Sequence, residues 1–262
     1  MILLSKTTKV VSNKEDKGVF EIEALYPGYG STVGNSLRRV LLSSLEGAAA
    51  IEAKIKGASH EFATLPGVKE DILGILLNLK QIRFRVFGEG HFSATLSAKG
   101  VKEVKAGDFK TPSQVEIANK DALIAHLTDK SAELGIEIQI ARGVGYEAAE
   151  ARKRGKEEIG SISLDAIYTP IRKVSYRVEQ MRVGDRTDFD RLILEIETDV
   201  TLDAESALKQ ASDILVKQFG IVGEGLNEEE MKPEEEAKPK AKKAAAPKKA
   251  AAKKGAAKAK KK

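Results

Sequence analysis

The segment GYGSTVG sets Gly28, Gly30 and Gly34 between an apolar run and a helix-like stretch, where a glycine-rich loop can bring backbone amides against a phosphate. The spacing does not fit that chemistry. It is one residue longer than the dinucleotide fingerprint, and no Lys-Ser or Lys-Thr pair follows to complete a P-loop. The glycines therefore read as a tight strand-to-helix turn. His60, His91 and His126 fall on separate predicted elements, have no His or acid partner at metal-ligand spacing, and read as structural. With no Cys, the chain has no disulfide framework, no thiolate nucleophile and no Cys-ligated zinc or iron–sulfur cluster. It also has no Gly-x-Ser-x-Gly elbow and no Asp-rich metal loop. No self-contained catalytic site is visible, so the chain reads as one that acts by binding other chains.

The charge is unevenly placed. Residues 232–262 hold 13 Lys and 3 Glu, a net +10, although the whole chain of 262 residues carries only +5; the preceding body is therefore −5. By charge alone that body is not a basic nucleic-acid binder. An apolar share of 42% in a chain this long is enough to build a real core. The Lys/Ala-rich tail has no large apolar residue and is expected to be disordered. Lys6 and Lys9 interrupt the opening MILLSKTTKVV, which does not read as a secretory signal. The longest apolar-rich stretch, Val68 to Ile82, is broken by Lys69, Glu70, Asp71, Asn78 and Lys80, far short of the ~20 apolar residues of a membrane span. A soluble, intracellular protein is expected.

The elements follow from periodicity. Phe20, Ile22 and Ala24 alternate with Glu21 and Glu23, predicting a half-buried strand over Val19 to Leu25. After Pro27 the period lengthens, predicting a helix with the stripe Leu37, Val40, Leu41 and Leu45, capped by Asn35 or Thr32, with Gly47 at its C-terminal end. A short strand is expected from Ile51 to Ile55. A second helix is predicted after Pro66, with Glu70 and Asp71 in its first turn, Lys80 near its end, and the stripe Val68, Ile72, Ile75, Leu76 and Leu79. Leu73 and Leu77 fall on a different face, so this helix should be sandwiched or meet a partner.

Strands are then expected at FRVF from Phe84, HFSATLS from His91, QVEIA from Gln114 and GIEIQIA from Gly135. The charge-dense AAEARKRGKEE from Ala148 reads as a mobile excursion. VSYRVEQMRV and RLILEIET flank GDRTDFD as a hairpin, and Asp203 caps a third helix with the stripe Ala204, Ala207, Leu208, Ala211 and Leu215.

Placing the first helix at ~100° per residue puts Val40, Leu41, Ser44 and Leu45 in the core stripe and turns Arg39 and Leu42 to the other side. Arg38 lies on the flank, where a surface ion pair is possible. An exposed Leu beside an Arg is ordinary surface, and it is also the composition of a partner-binding hot spot; both readings stand.

The runs GYGSTVGNSLRRVLLSSLEGAAA, HEFATLPGVKEDILGILLNLK, VEIA, HLTDKSAELGIEIQIARGVGY, LDAIYTPIRKVSYRVE and RTDFDRLILEIET, in this order between about Phe20 and Phe219, resemble the amino-terminal region of bacterial RNA polymerase alpha subunits. The resemblance implies an α+β, two-part fold. A discontinuous dimerisation domain (residues 1–47 and 170–228), with helices packed on an antiparallel sheet, would enclose an inserted strand-rich domain (48–169) contacting the large subunits. A disordered Lys/Ala-rich tail (229–262) would stand where the family carries a carboxy-terminal domain.

The function implied is a homodimer that scaffolds the beta and beta-prime subunits of DNA-directed RNA polymerase, a nucleotidyltransferase that transcribes DNA into RNA from ribonucleoside triphosphates. This chain would be a non-catalytic, cytoplasmic, nucleoid-associated subunit with no membrane association. The resemblance assigns dimerisation to the first and last helices (Leu37, Leu41, Leu45, Leu208, Ala211, Leu215), beta contact to Arg39 and Leu42, and beta-prime contact to Lys80 and Leu164. Read from the residues alone, Lys80 could instead complement a helix C-terminus, and Leu164 could be core. No catalytic residue, metal or cofactor is expected in the chain, magnesium belonging to the catalytic partner. DNA would be met through the assembled enzyme and weakly through the tail, by counterion release. The alternative is a basic-tailed, nucleic-acid-binding architectural protein whose body is a dimeric handle.

Overall fold

The computed structural model describes residues 8–14, 16–58, 60–152 and 160–229. Strands β1 (Lys9–Asn13) and β2 (Lys17–Leu25) pair antiparallel, and β2 buries Phe20 and Ala24 as the alternation requires. Helix α1 (Tyr29–Ser43) follows, then β3 (Glu46–Ile55), α2 (Ile72–Leu79), β4 (Phe84–Val86), β5 (His91–Lys99), β6 (Lys102–Lys105), β7 (Val115–Ile117), β8 (Leu123–Leu127) and β9 (Glu133–Val144). The chain continues through β10 (Tyr146–Glu147), α3 (Ala149–Arg152), β11 (Ser161–Ser163), β12 (Ala166–Ile167), β13 (Ile171–Val183), β14 (Arg186–Thr198) and α4 (Ala204–Glu229). This is an α+β fold of antiparallel sheets with few helices.

Two cores organise it. A four-stranded sheet, in the order β1-β2-β14-β13, shares a core with α1 and the start of α4 built from Phe20, Leu37, Leu41, Leu45, Leu194, Ile196, Ala204, Ala207 and Ala211. The opposite face of that sheet is ionic, with Arg191 Nε 2.9 Å from Glu21 and Lys17 Nζ 3.3 Å from Glu197. The larger core belongs to a sheet ordered β5-β9-β3-β4-β7, with β11 also on β3; it includes Ile136, Ile138 and Ile140 of β9 and Ile72, Ile75 and Leu79 of α2. Residues of this second core all lie between Ala50 and Leu164.

Several expectations about boundaries change. Helix α1 begins before Thr32 and Asn35, so neither caps it. Gly28 is the N-cap, at a φ of 87° that favours glycine, and the acceptor comes from β14: Asp190 Oδ2 takes the Gly28 N–H at 2.9 Å and the Gly30 N–H at 3.0 Å. Gly30 and Gly34 serve close packing rather than the turn. A Cβ on Gly30 would stand 2.7 Å from Val178, and one on Gly34 would stand 2.7 Å from Tyr176 and 2.9 Å from Leu192. Gly47 does not end the helix; it lies within β3, where a Cβ would run into the Tyr168 carbonyl.

Helix α2 starts at Ile72, with Asp71 as N-cap accepting the Gly74 N–H at 2.8 Å. Glu70 precedes it and bonds elsewhere: its carboxylate accepts the His126 backbone N–H at 2.7 Å and lies 2.5 Å from His126 Nδ1. His126 thus does have an acid partner, from a loop distant in sequence. Desolvation raises the Glu70 carboxyl, yet the bonds to His126 outweigh it and hold the group below its ordinary range.

The hairpin turn is only Gly184-Asp185, so TDFD belongs to β14. Asp203 caps α4 as expected, accepting the Ser206 N–H at 2.9 Å. Most of the expected charged excursion, residues 153–159, and the tail beyond Glu229 lie outside the described residues.

Candidate partner-binding surfaces

Helix α1 is fixed from both sides, so its outer face is presented rigidly. Asp190 holds its first turn, the glycines set it close on β13 and β14, Leu37 and Leu41 anchor its inner stripe, and Leu45 anchors the link that follows it. Opposite that stripe, Arg39 is exposed and Leu42 is 40% exposed. Arg38, on the flank where a surface ion pair is possible, lies 5.8 Å over the Tyr176 ring. A Cβ on Gly145, between β9 and β10, would come within 3.4 Å of the Ser43 carbonyl at the end of α1. Next to Gly145, Tyr146 pairs across strands with Ile167, and both are exposed. Sequence reading missed this pair; two-residue strands give no alternation to detect.

Lys80 forms the C-cap of α2, and its ammonium reaches across to Asp165 at 3.0 Å. The Ala149 N–H, donating at 3.0 Å, and then Lys80 hold the Asp165 carboxyl below its usual range. Arg152 donates to the Leu164 carbonyl, and Tyr168 Oη donates to Glu147 at 3.0 Å. Burial, and then that bond to Glu147, push the Tyr168 hydroxyl up. Leu164, adjacent to Asp165, has its side chain in the larger core at 4% exposure. On α2 itself, Leu73 and Leu77 stay exposed, Leu77 at 52%, on the face that helical spacing turns away from Ile72, Ile75 and Leu79.

On α4, Ala211 is buried within the chain's own core, as are Leu37 and Leu41 on α1; Leu45, expected on that helix, is buried too but lies past its end, in the link to β3. Leu208 and Leu215 are half-buried at its rim. Further along α4, Val216, Phe219 and Ile221 are exposed, Phe219 at 66%. Val216 and Phe219, three residues apart, stand on one side of the helix and form an exposed apolar pair of the kind that marks an interaction face, whereas Ile221 points to another side. Among the described residues, no group of three or more His, Cys, Asp or Glu side chains could hold a metal ion, and no helix is long and apolar enough to cross a membrane.

Residues 53–169, which hold nearly all of the larger core, match the family described as the RNA polymerase Rpb3/RpoA insert domain. That match spans 117 of the chain's 262 residues. It is 47% identical over 209 residues to a DNA-directed RNA polymerase subunit alpha from Roseiflexus sp., covering 80% of this chain and 64% of the relative. It is 48% identical over 214 residues to the subunit of the same name from Herpetosiphon aurantiacus, covering 82% of this chain and 64% of that relative. The chain thus spans slightly under two thirds of the length of these curated alpha subunits, and the similarity reaches well beyond the insert domain.

Proposed function

We propose that this chain is an assembly subunit of DNA-dependent RNA polymerase, a homodimer that gathers the beta and beta-prime subunits and does no chemistry itself. The observation that carries this reading is the 47–48% identity to alpha subunits over four fifths of the chain. Two separate cores support a division into a dimerisation part, residues 1–47 and 170–228, and an inserted part, residues 48–169, with residues 229–262 as a basic tail.

In this reading a second copy covers the apolar face of α4, through Leu208, Leu215, Val216 and Phe219, together with the neighbouring α1. Leu37, Leu41, Leu45 and Ala211 shape that seam from beneath, because their side chains are already packed within one protomer. Arg39 and Leu42 take the beta subunit, and the exposed Tyr146–Ile167 pair widens that surface across the end of α1. Lys80, with Asp165, takes beta-prime, and Leu164 supports the loop from the core. The protein works in the cytoplasm, where the assembled enzyme meets DNA, and the catalytic magnesium belongs to the partner chains.

Purified chain mixed with the two large subunits tests the proposal. It predicts one complex containing two copies of this chain and one of each large subunit. A chain that retains nucleic acid but neither large subunit contradicts it.

A further inference from the structure

We propose that Arg83 and Arg85, beside and on β4, lock the inserted part of the chain at a fixed angle to the part built on the four-stranded sheet. They would then be positioning residues for the surfaces that the two parts present. The consequence for large-subunit binding rests on the assembly reading; the geometry does not. The chain crosses between its two cores twice, at the start of β3 and in the segment before β13. The crossings lie side by side, since a Cβ on Gly47 would run into the Tyr168 carbonyl oxygen. Two adjacent crossings form a hinge line, and a body held along one line keeps one rotation. A third point of attachment removes it.

That third point is the turn after β14. Arg85 donates from Nε to the Thr201 carbonyl and from Nη2 to the Val200 carbonyl, both at 3.1 Å, while Nη1 donates to Glu116 at 3.3 Å. Glu116 is the cross-strand partner of Arg85 on β7, so the guanidinium is tied to its own sheet before it reaches the other part. Arg83 Nε lies 3.7 Å from Asp199 Oδ2.

The receiving turn is itself held in place. Asp199 is 5% exposed, donates its N–H to the Pro170 carbonyl at 3.0 Å, and accepts the Thr201 N–H at 3.1 Å. Val200 sits at a φ of 75°, unfavourable for a β-branched residue and kept only where the surroundings over-determine it. A cavity of about 190 Å³ opens next to the clamp, lined by Glu46, Phe84, Arg142, Pro170, Leu202 and Gln210. Apolar packing therefore does not seal the parts together at that spot, where the arginine fork bridges them. A lysine could not, because one ammonium cannot reach two carbonyls and a carboxylate in fixed directions.

The absence of Cys makes the test direct. Thr95→Cys on β5 and Lys173→Cys on β13 introduce two exposed spin-label sites, one on each sheet, in the full chain. Labelled chain is diluted with unlabelled chain so that only distances within one chain are read. The lock predicts one narrow distance distribution in the parent. It predicts a broadened distribution in Arg83→Ala/Arg85→Ala, with circular dichroism and oligomeric mass unchanged. Arg85→Lys keeps the charge and the stem but loses the fork, and serves if the double variant does not fold: broadening supports the lock, and a parent-like width overturns it. An unchanged distribution in the double variant also overturns it. Because the distance is read on the chain alone, failure to bind the large subunits would sink the assembly reading without touching the lock.

Discussion

Removing the Asp190 carboxylate should loosen the first turn of α1 by an amount that separates capping from charge. Asp190 is 8% exposed and a single oxygen accepts two backbone N–H groups, from Gly28 and Gly30. Asp190→Ala removes that acceptor. Loss of an N-cap costs about 1 kcal/mol, and leaving a buried donor without a partner costs about 1–3 kcal/mol. Both figures describe the same two bonds, so the alanine variant should be destabilised by roughly 1–3 kcal/mol. Asp190→Asn keeps an oxygen for both amides and loses mainly the attraction between a negative charge and the helix N-terminus, about 0.3–1 kcal/mol at an ordinary site. Urea unfolding at a fixed chain concentration, followed by circular dichroism, gives both numbers from the shift in midpoint at constant slope. An alanine variant within about 0.5 kcal/mol of the parent, the usual range for featureless surface sites, would refute the capping role. An asparagine variant as damaged as the alanine variant would mean that charge, not acceptor geometry, holds the turn.

Arg39→Ala and Leu42→Asp should leave stability within about 0.5 kcal/mol, because both side chains face solvent, while weakening capture of the beta subunit in a pull-down; an unfolded variant would mean that the helix face is assigned wrongly. Glu70 contributes stability through a lowered pKa, so its contribution is present above the ordinary carboxyl value of 4.5 and is lost as pH falls below that through the folded-state value. The difference in urea midpoint between the parent and Glu70→Gln should accordingly shrink in that acid range, and a constant difference would contradict the His126 pairing. Deleting residues 232–262, with their 13 Lys and 3 Glu, should flatten the salt dependence of binding to non-promoter DNA, by about 0.9 in log–log slope for each phosphate the tail had neutralised. Subunit capture should be unaffected, and an unchanged slope would mean that the tail does not touch DNA.

What was legible in the sequence was local. The alternation of Phe20 and Ala24 against Glu21 and Glu23, the isoleucines of β9, and Asp203 three residues before a helical N–H are patterns whose cause lies within one turn or one strand. What was not legible was contributed from far along the chain. The N-cap acceptor of α1 comes from Asp190, 160 residues from Gly30, whereas Thr32 and Asn35 have the right chemistry in the wrong place. Glu70 looks like a first-turn acid because its partner, His126, is 56 residues away. Gly34 looks like a loop glycine because the Tyr176 and Leu192 side chains it makes room for come from β13 and β14.

The candidate surfaces divide in the same way. Helical angles sufficed to turn Arg39 and Leu42 outward, but periodicity could not find the exposed pair Tyr146 and Ile167, nor tell that Leu164 points into the core while its neighbour Asp165 meets Lys80.

The central claim is that this chain pairs with itself through α4 and, once paired, collects two large subunits. Mass by light scattering, on the chain alone, on Phe219→Asp, and after mixing with the large subunits, tests it most directly. Twice the chain mass is expected for the parent, with a dissociated Phe219→Asp variant that remains folded, and a large-subunit complex only with the parent. A parent that runs as a monomer, or a Phe219→Asp variant that still dimerises and assembles, would contradict it.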